Sequence, residues 1–266
     1  QSTPLADALN RDRECPWAAP APPPVPHIVV MVAAGPSGEA YMGNWTSNVL
    51  PRTRGRTWYR PCEPACRRGR VEEHNQAKPE PVAICRLKRV AADSKGDIHA
   101  RLPSAPSQKN GKRVACIGGG PASLTVARDL APLGYEVVVF DQDPKAGGMI
   151  RTQIPRFRLP EPVIDEEVGY VLGIGVEFRG GVRIDSMKKL LAEGFDAVFV
   201  GTGAPRGRDL DLPGRTEAAK NIQIGMAWLS SMHFGQVGAI GRRVILLGCV
   251  NSSLDCTRMA WASGQD

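Results

Sequence analysis

The chain has 266 residues, of which 42% are hydrophobic and 23% are charged, a composition that is ordinary for a soluble globular protein and excludes neither an enzyme nor a binding module. Its net charge of +7 comes entirely from residues 1–112, where 17 Lys and Arg stand against 10 Asp and Glu. This basic stretch lacks the interleaved aromatic residues that stack on bases, so we expect no nucleic-acid binding. Seven cysteines, with no secretory leader and no apolar run of membrane length, predict a cytoplasmic protein with no membrane segment.

The N-terminal part is rich in Pro, Gly and Ala. Over residues 1–57 neither a helical nor a strand period lasts long enough to assign a particular helix or strand. Residues 81–93 carry apolar side chains at helical spacing, which predicts a helix that ends near Asp93. We therefore expect a basic, mainly helical and irregular extension over 1–93, followed by an exposed linker over 94–112.

From residue 113 the pattern becomes β-α-β. An apolar strand over 114–117, a glycine turn, a helix over 121–133 and a second strand over 136–140 follow one another. Apolar runs at 197–200 and 244–247 predict further core strands. The fold class predicted is α/β with nested dinucleotide-binding (Rossmann-like) domains, because similar glycine turns follow two of these strands. The first domain is expected over 113–240, and 241–266 is expected to begin a second, incomplete one.

The glycine turn after the first strand carries the strongest chemical signal. Gly118 suits the tight bend, and Gly120 lets the backbone approach a pyrophosphate that rests on the positive N-terminus of the next helix. Asp141 follows the second strand, where an acid binds ribose hydroxyls. A tight turn also recruits glycines without any ligand, but here strand, helix and acid agree. The expected binding residues are Gly118, Gly120, Pro121, Ala122, Ser123 and Asp141.

Two segments that follow Asp141 make a family recognisable. They are Gly-Gly-Met at 147–149 and Ile-Pro-Arg-Phe-Arg-Leu-Pro at 154–160. With the glycine turn they resemble the glutamate synthase small-subunit family of FAD/NAD(P) oxidoreductases, the flavin half of dihydropyrimidine dehydrogenase and the NAD(P)-coupling subunits of larger complexes. The resemblance implies FAD at the first turn, and it assigns Gly148, Met149 and Arg158 to the flavin nucleotide. Without it, Arg158 would be an ordinary surface arginine.

Two later segments resemble further parts of the same family. Residues 197–204, Ala-Val-Phe-Val-Gly-Thr-Gly-Ala, are similar to a turn that returns to the FAD, which implies that Thr202 and Gly203 pass close to the cofactor; a simple crossover turn is the alternative. Residues 241–258 are similar to the nested NAD(P)-binding turn, which implies that Gly248 and Asn251 bind NAD or NADP as an exchangeable substrate. Cys249 and Val250 replace two glycines there and crowd the pyrophosphate position.

The N-terminal cysteines resemble a degenerate iron–sulfur domain. Cys62 and Cys66 lie in a segment similar to the family's cluster-binding stretch, and Cys15 is similar to the last ligand of its first group. Trp58 and Arg11 stand where further ligands are expected. Each [4Fe–4S] cluster takes four ligands, so we predict no metal site in this chain. Cys85 falls on the predicted helix, where a buried apolar role is expected.

These patterns lead to one functional hypothesis and two alternatives. The chain is expected to be an FAD-dependent subunit of a hetero-oligomer, moving electrons between NAD(P)(H) and iron–sulfur centres on a partner subunit. The cofactor supplies the chemistry of hydride transfer, so no catalytic side chain is named. The alternatives are the glutamate synthase small subunit and a non-catalytic FAD-binding assembly subunit.

Overall fold

The computed structural model describes residues 25–35, 37–57, 62–70, 80–237, 240–248 and 251–263. Its N-terminal part contains four helices, α1 (Val25–Ala34), α2 (Ser37–Trp45), α3 (Pro51–Thr57) and α4 (Ile84–Asp93). The predicted helix ending at Asp93 is confirmed. The mainly helical extension is also confirmed; α1 to α3 were not assigned from the sequence, because they gain their stability from packing against one another and α4 rather than from a periodic apolar face.

A parallel sheet forms the centre of the molecule. Its described strands are β1 (Arg113–Ile117), β2 (Glu136–Phe140), β3 (Glu177–Arg179) and β4 (Ala197–Val200), in the order β3-β2-β1-β4. The predicted strands corresponding to β1, β2 and β4 are confirmed. Strand β3 was not predicted, since its three residues include two charged ones and lie at the edge of the sheet.

The remaining helices follow the strands in the alternating order of an α/β protein. They are α5 (Pro121–Leu130), α6 (Met149–Thr152), α7 (Glu161–Leu172), α8 (Met187–Ala192), α9 (Gly225–His233) and α10 (Asn251–Ser263). The helix predicted over 121–133 is formed by α5 and a short 3-10 turn (Ala131–Leu133). Gly134 ends it with a φ of +87°, a conformation that favours glycine.

The sheet is covered on both faces. Alternate side chains of β1 and β2 point to opposite sides, as strand geometry requires. Val114, Cys116, Val137 and Val139 join the larger core cluster, which also contains residues of α5, α7 and the N-terminal helices. Ala115, Val138 and Phe140 pack on the other face against Leu190 and Phe195. The predicted α/β fold class with a Rossmann-like domain is therefore confirmed, and the N-terminal extension shares its core.

The strand predicted over residues 244–247 is not formed. All four residues are exposed, Ile245 to 87% and Leu247 to 65%. In the part of the chain that the structure describes, no strand lies beside this segment, so its backbone groups have no ladder to join. The apolar pattern alone was therefore insufficient to make a strand of this segment.

Candidate nucleotide-binding site

Three loops meet at the carboxyl edge of the sheet. Gly118 follows β1, Asp141 follows β2 and Gly201 follows β4, and the parallel register places all three at the same edge. The Gly118 N–H donates to the carbonyl of Phe140 at 2.7 Å, and the Gly201 N–H donates to that of Ile117 at 2.8 Å. Parallel α/β sheets bind their ligands at this edge, beside the strand where the order reverses, which here is β1.

Gly118 is required by its backbone and by its neighbour. Its φ is +97°, which L side chains rarely adopt, and a Cβ built on it would lie 2.5 Å from the carbonyl oxygen of Gly201. The loops after β1 and β4 are therefore in direct backbone contact. This contact closes the floor of the site at the point where the sequence predicts a tight bend.

Gly120 presents an open cradle. A Cβ built on it would meet no atom within 4 Å, although its φ of −80° is unstrained. Helix α5 begins at the next residue, and no side chain caps its first turn. Pro121 and Ala122 are exposed at the mouth. The free space and the uncapped N–H groups fit an anionic ligand such as a pyrophosphate.

Ser123 lies behind this cradle and packs against Gly201. It is fully buried, and its Oγ has no hydrogen-bond partner among the described residues. A Cβ on Gly201 would clash with that hydroxyl. The small residue at position 123 thus serves close packing between α5 and the loop after β4, as the motif predicts.

Asp141 is held against the glycine turn. One carboxylate oxygen accepts a hydrogen bond from the Gly119 N–H, and the other accepts one from the Asp143 N–H at 2.9 Å. The side chain is buried at the end of β2. A carboxylate offers about four acceptor positions, so each oxygen keeps capacity for a hydroxyl. Burial raises the pKa of Asp143, and the neighbouring Asp141 raises it further.

The glycine pair at 147 and 148 lies directly on the first turn. The Gly147 N–H donates to the carbonyl of Gly119 at 2.8 Å. A Cβ on Gly148 would lie 2.9 Å from the Cα of Gly120, and the φ of Gly148 is +56°. Met149, half-buried, opens α6 immediately afterwards. The structure therefore brings Gly148 and Met149 beside the cradle.

Thr202 and Gly203 continue from the loop that contacts Gly118. Both are exposed, and Gly203 has a φ of +67° with nothing within 4 Å of an added Cβ. They lie one and two residues beyond Gly201, on the open side of the same edge. The structure thus brings them to the same side of the sheet as the glycine turn.

Arg158 is engaged away from the glycine turn. Its Nη1 donates to Oδ2 of Asp255 at 2.6 Å, and its Nη2 donates to the carbonyl oxygen of Thr57 at 3.0 Å. Asp255 lies on α10, and sequence reasoning did not pair it with Arg158. Nothing in a single sequence marks two residues 97 positions apart as partners.

The second turn is partly described. Gly248 has a φ of +138°, and a Cβ on it would lie 2.5 Å from Oγ of Ser253. Asn251 is exposed and is the first residue of α10. The structure brings neither residue to the first turn. Cys249 and Val250 lie outside the described residues, so the predicted crowding there stays a prediction.

The described cysteines of the N-terminal extension, Cys62, Cys66 and Cys85, are buried or half-buried. A hydrogen bond with the Cys85 thiol lowers the pKa of Cys62 to about 6, and the same bond raises the pKa of Cys85. Cys66 is also buried. Across the described ranges, no group of three or more His, Cys, Asp or Glu is arranged to bind a metal ion. Cys15, Arg11 and Trp58 lie outside those ranges.

Comparison with known proteins identifies the domain and its relatives. Residues 116–174 match the model of the NAD(P)-binding Rossmann-like domain. None of the described helices has the length and apolar character to cross a bilayer.

Three curated relatives are each 32% identical to this chain. The NADPH-Fe(3+) oxidoreductase subunit beta of Geobacter sulfurreducens matches over 82% of this chain and 32% of its own length. The NADP(+)-dependent formate dehydrogenase subunit beta of Moorella thermoacetica matches over 79% and 32%. The glutamate synthase [NADPH] small chain of Mycobacterium tuberculosis matches over 79% and 44%. The chain thus spans less than half the length of these relatives, and the resemblance to the glutamate synthase small-subunit family is confirmed.

Proposed function

We propose that this chain is the FAD-containing electron-transfer subunit of an NAD(P)-linked oxidoreductase complex. The observation that carries the proposal is the open cradle at Gly120, which faces the uncapped N-terminus of α5. Such a site stabilises a pyrophosphate through backbone N–H groups and the helix dipole. FAD, NAD and NADP all contain a pyrophosphate, so the choice among them depends on the neighbouring groups.

Asp141 favours FAD over NADP at this turn. Its buried carboxylate would accept hydrogen bonds from the adenosine ribose, as the acid of Rossmann-like sites does, and a 2′-phosphate there would meet like charge. The three relatives are named for NADPH or NADP(+). If this chain also reacts with NADPH, that substrate needs a second place to bind. The first turn is then left for FAD, whose ribose carries two free hydroxyls.

We assign separate roles in FAD binding to the described residues. Gly118 keeps the turn tight, while Gly120, Pro121, Ala122 and Ser123 open α5 toward the pyrophosphate. Gly148 and Met149, with Thr202 and Gly203 on the other side, are proposed to line the path toward the flavin. Bound there, the flavin would accept electrons in pairs and release them singly.

The second turn is proposed to bind the nicotinamide substrate, and the N-terminal extension is proposed to bind the partner subunit. Gly248 and Asn251 would bind NAD or NADP as an exchangeable substrate at the start of α10. The relatives are named as subunits or a small chain, which supports a hetero-oligomer. Exposed arginines at positions 68, 86 and 89 of the basic extension offer a surface for a partner that carries iron–sulfur clusters.

Replacement of Gly120 by Ala tests the nucleotide site, and Gly169→Ala is its matched control. Neither added Cβ meets an atom within 4 Å, but only Gly120 lies at the cradle. Gly120→Ala should fold with a thermal midpoint close to that of the wild type and retain at least tenfold less FAD. Gly169→Ala should retain FAD fully. Wild-type protein that releases NAD or NADP instead of FAD on heating, or Gly120→Ala with full FAD content, would refute the proposal.

A non-catalytic FAD-binding subunit is the second candidate. The unformed strand at 244–247 favours it, because a nicotinamide site at Gly248 would lack the strand that normally supports such a turn. Anaerobic addition of NADPH or NADH separates the two. Bleaching of the flavin absorption supports the electron-transfer subunit, and an unchanged flavin spectrum supports the assembly subunit.

A further inference from the structure

Three consecutive side chains link the segment after Gly147 and Gly148 to helices α9 and α10. Nη2 of Arg156 lies 2.8 Å from Nδ1 of His233 on α9. The guanidinium of Arg258, on α10, lies 4.1 Å from the ring centre of Phe157. Arg158 forms its 2.6 Å ion pair with Asp255, also on α10. A hydrogen bond, a cation–π contact and a salt bridge thus succeed one another along 156–158.

The salt bridge is the most buried of these contacts. The side chain of Asp255 is 9% exposed, and that of Arg158 is 21% exposed. Removing one partner of a largely buried pair leaves the other charge poorly compensated, so such a pair fixes two elements relative to each other. The Arg158 fork also reaches the Thr57 carbonyl, which adds the N-terminal extension to the junction.

Each partner follows one of the proposed nucleotide-binding residues closely along the chain. Arg158 follows Gly148 by ten residues, and the tight turn in which Arg158 and Leu159 donate to the Pro155 carbonyl holds it in place. Asp255 lies four residues after Asn251, in the early part of α10. The pair therefore joins the segment that follows Gly147 and Gly148, which contact the first turn, to α10, the helix that follows the second turn.

The protonation state of His233 is consistent with a stable contact between the 156–158 segment and α9. An arginine is always a cationic donor, so the imidazole must accept with an unprotonated nitrogen. Burial lowers the pKa of His233, and the charge of Arg156 lowers it further. The contact between the 156–158 segment and α9 is therefore made by a neutral histidine at physiological pH.

We propose that Arg158 and Asp255 are positioning residues that hold the second nucleotide turn in a fixed relation to the first. This inference deepens the proposed function and depends on it. The pair would set how closely a nicotinamide held at Gly248 approaches a flavin held at Gly120. In the step concerned, the bound nicotinamide would supply a hydride to the FAD, and Arg158 and Asp255 would fix the two turns that hold these cofactors.

Asp255→Asn is the main test, because it removes the charge while Arg158 keeps its bond to Thr57. FAD content should stay within twofold of wild type, while the rate of anaerobic flavin reduction by saturating NADPH should fall at least tenfold. The exchanged pair, Arg158→Asp with Asp255→Arg, should recover part of that rate. Arg183→Gln, which breaks an exposed ion pair with Asp185, is the control and should change neither quantity.

Amide hydrogen exchange gives a readout that needs no cofactor. Asp255→Asn and Arg158→Lys should speed exchange in α10, and Arg183→Gln should not. Unchanged reduction and exchange in both variants would overturn the inference, and loss of FAD from Arg158→Lys alone would instead make Arg158 a cofactor ligand. Wild-type protein without FAD would refute the proposed function. In that case, unchanged amide exchange in α10 of Asp255→Asn and Arg158→Lys would also overturn the proposal that this pair holds the second turn relative to the first.

Discussion

The hydroxyl of Tyr41 donates a 3.1 Å hydrogen bond to the carboxylate of Glu167, which lies 126 residues later in the chain. Glu167 is fully buried on α7, and it also accepts the backbone N–H of Thr53 at 2.8 Å. It therefore supplies, from α7, the cap that the first turn of α3 lacks in its own sequence. The N-terminal extension is docked on the nucleotide-binding domain through this carboxylate.

Glu167 should make stability depend on pH. Burial raises its pKa to about 6 from an unfolded value of 4.5. The folded protein therefore binds the proton more tightly, and the stability gained is complete below pH 4.5 and is lost as the pH rises through 6. Relative to Glu167→Gln, the wild type should gain on the order of 1–2 kcal/mol between pH 7.5 and pH 4.5.

Urea unfolding of both proteins across this range measures the difference. The comparison cancels the opposite contribution of Glu166, whose pKa is lowered because hydrogen bonds from Lys95 and Arg52 outweigh its burial. If the difference in unfolding free energy between wild type and Glu167→Gln is flat with pH or grows as the pH rises, Glu167 is ionised in the folded protein at least as readily as in the unfolded one.

Gly118→Ala should destabilise the fold itself. The substitution combines a φ of +97° with a Cβ 2.5 Å from the Gly201 carbonyl, whereas Gly120→Ala meets open space. Backbone strain and overpacking together should cost on the order of 2–5 kcal/mol. Chemical denaturation of the nucleotide-free protein measures this cost. Equal stability of the two variants would mean that the loops after β1 and β4 are not in contact.

The sequence predicts the elements whose causes are local, and it fails for the elements that depend on contacts with distant parts of the chain. The strands before Gly118 and Asp141 and the turn between them were predictable, because strand period, glycine and acid occur within thirty residues and each has a local physical reason. Helix α1 was missed, since it is apolar on all sides and its packing on α4 supplies the stability. The strand at 244–247 was predicted wrongly, because pairing needs a neighbour that apolarity does not reveal.

In the candidate site, too, local features were predictable and long-range contacts were not. Gly118, Gly120 and Asp141 come together as the motif predicts, since one β-α-β unit carries all three. The partner of Arg158 was not predictable, because Asp255 reaches it only through the packing of α10. Long-range pairs of this kind depend on the whole fold, and a single sequence gives no signal for them.

Asp141→Asn should weaken FAD binding while the fold persists. The amide oxygen can still accept the Gly119 N–H, while the bond from the Asp143 N–H and the charge that would bind the ribose hydroxyls are lost. A charge-assisted hydrogen bond of this kind contributes about 1–3 kcal/mol, so Kd should rise roughly 5- to 150-fold. Isothermal titration of the cofactor-free protein with FAD measures it. Asp143→Asn, at a half-buried neighbour, should bind as wild type does, and an equal loss there would mean that Asp141 has no specific role.

The purified chain should contain FAD but less than one iron per molecule. A [4Fe–4S] cluster needs four ligands, and in the described part of the chain no three cysteine, histidine or acidic side chains are grouped for metal. Cys62 is instead hydrogen-bonded to Cys85. Electrons from the flavin would then have to leave to a centre on another subunit. Iron and acid-labile sulfide, measured per FAD after anaerobic purification, test whether the chain carries a cluster. Four irons per chain that disappear in Cys62→Ser would show that this extension holds a cluster of its own.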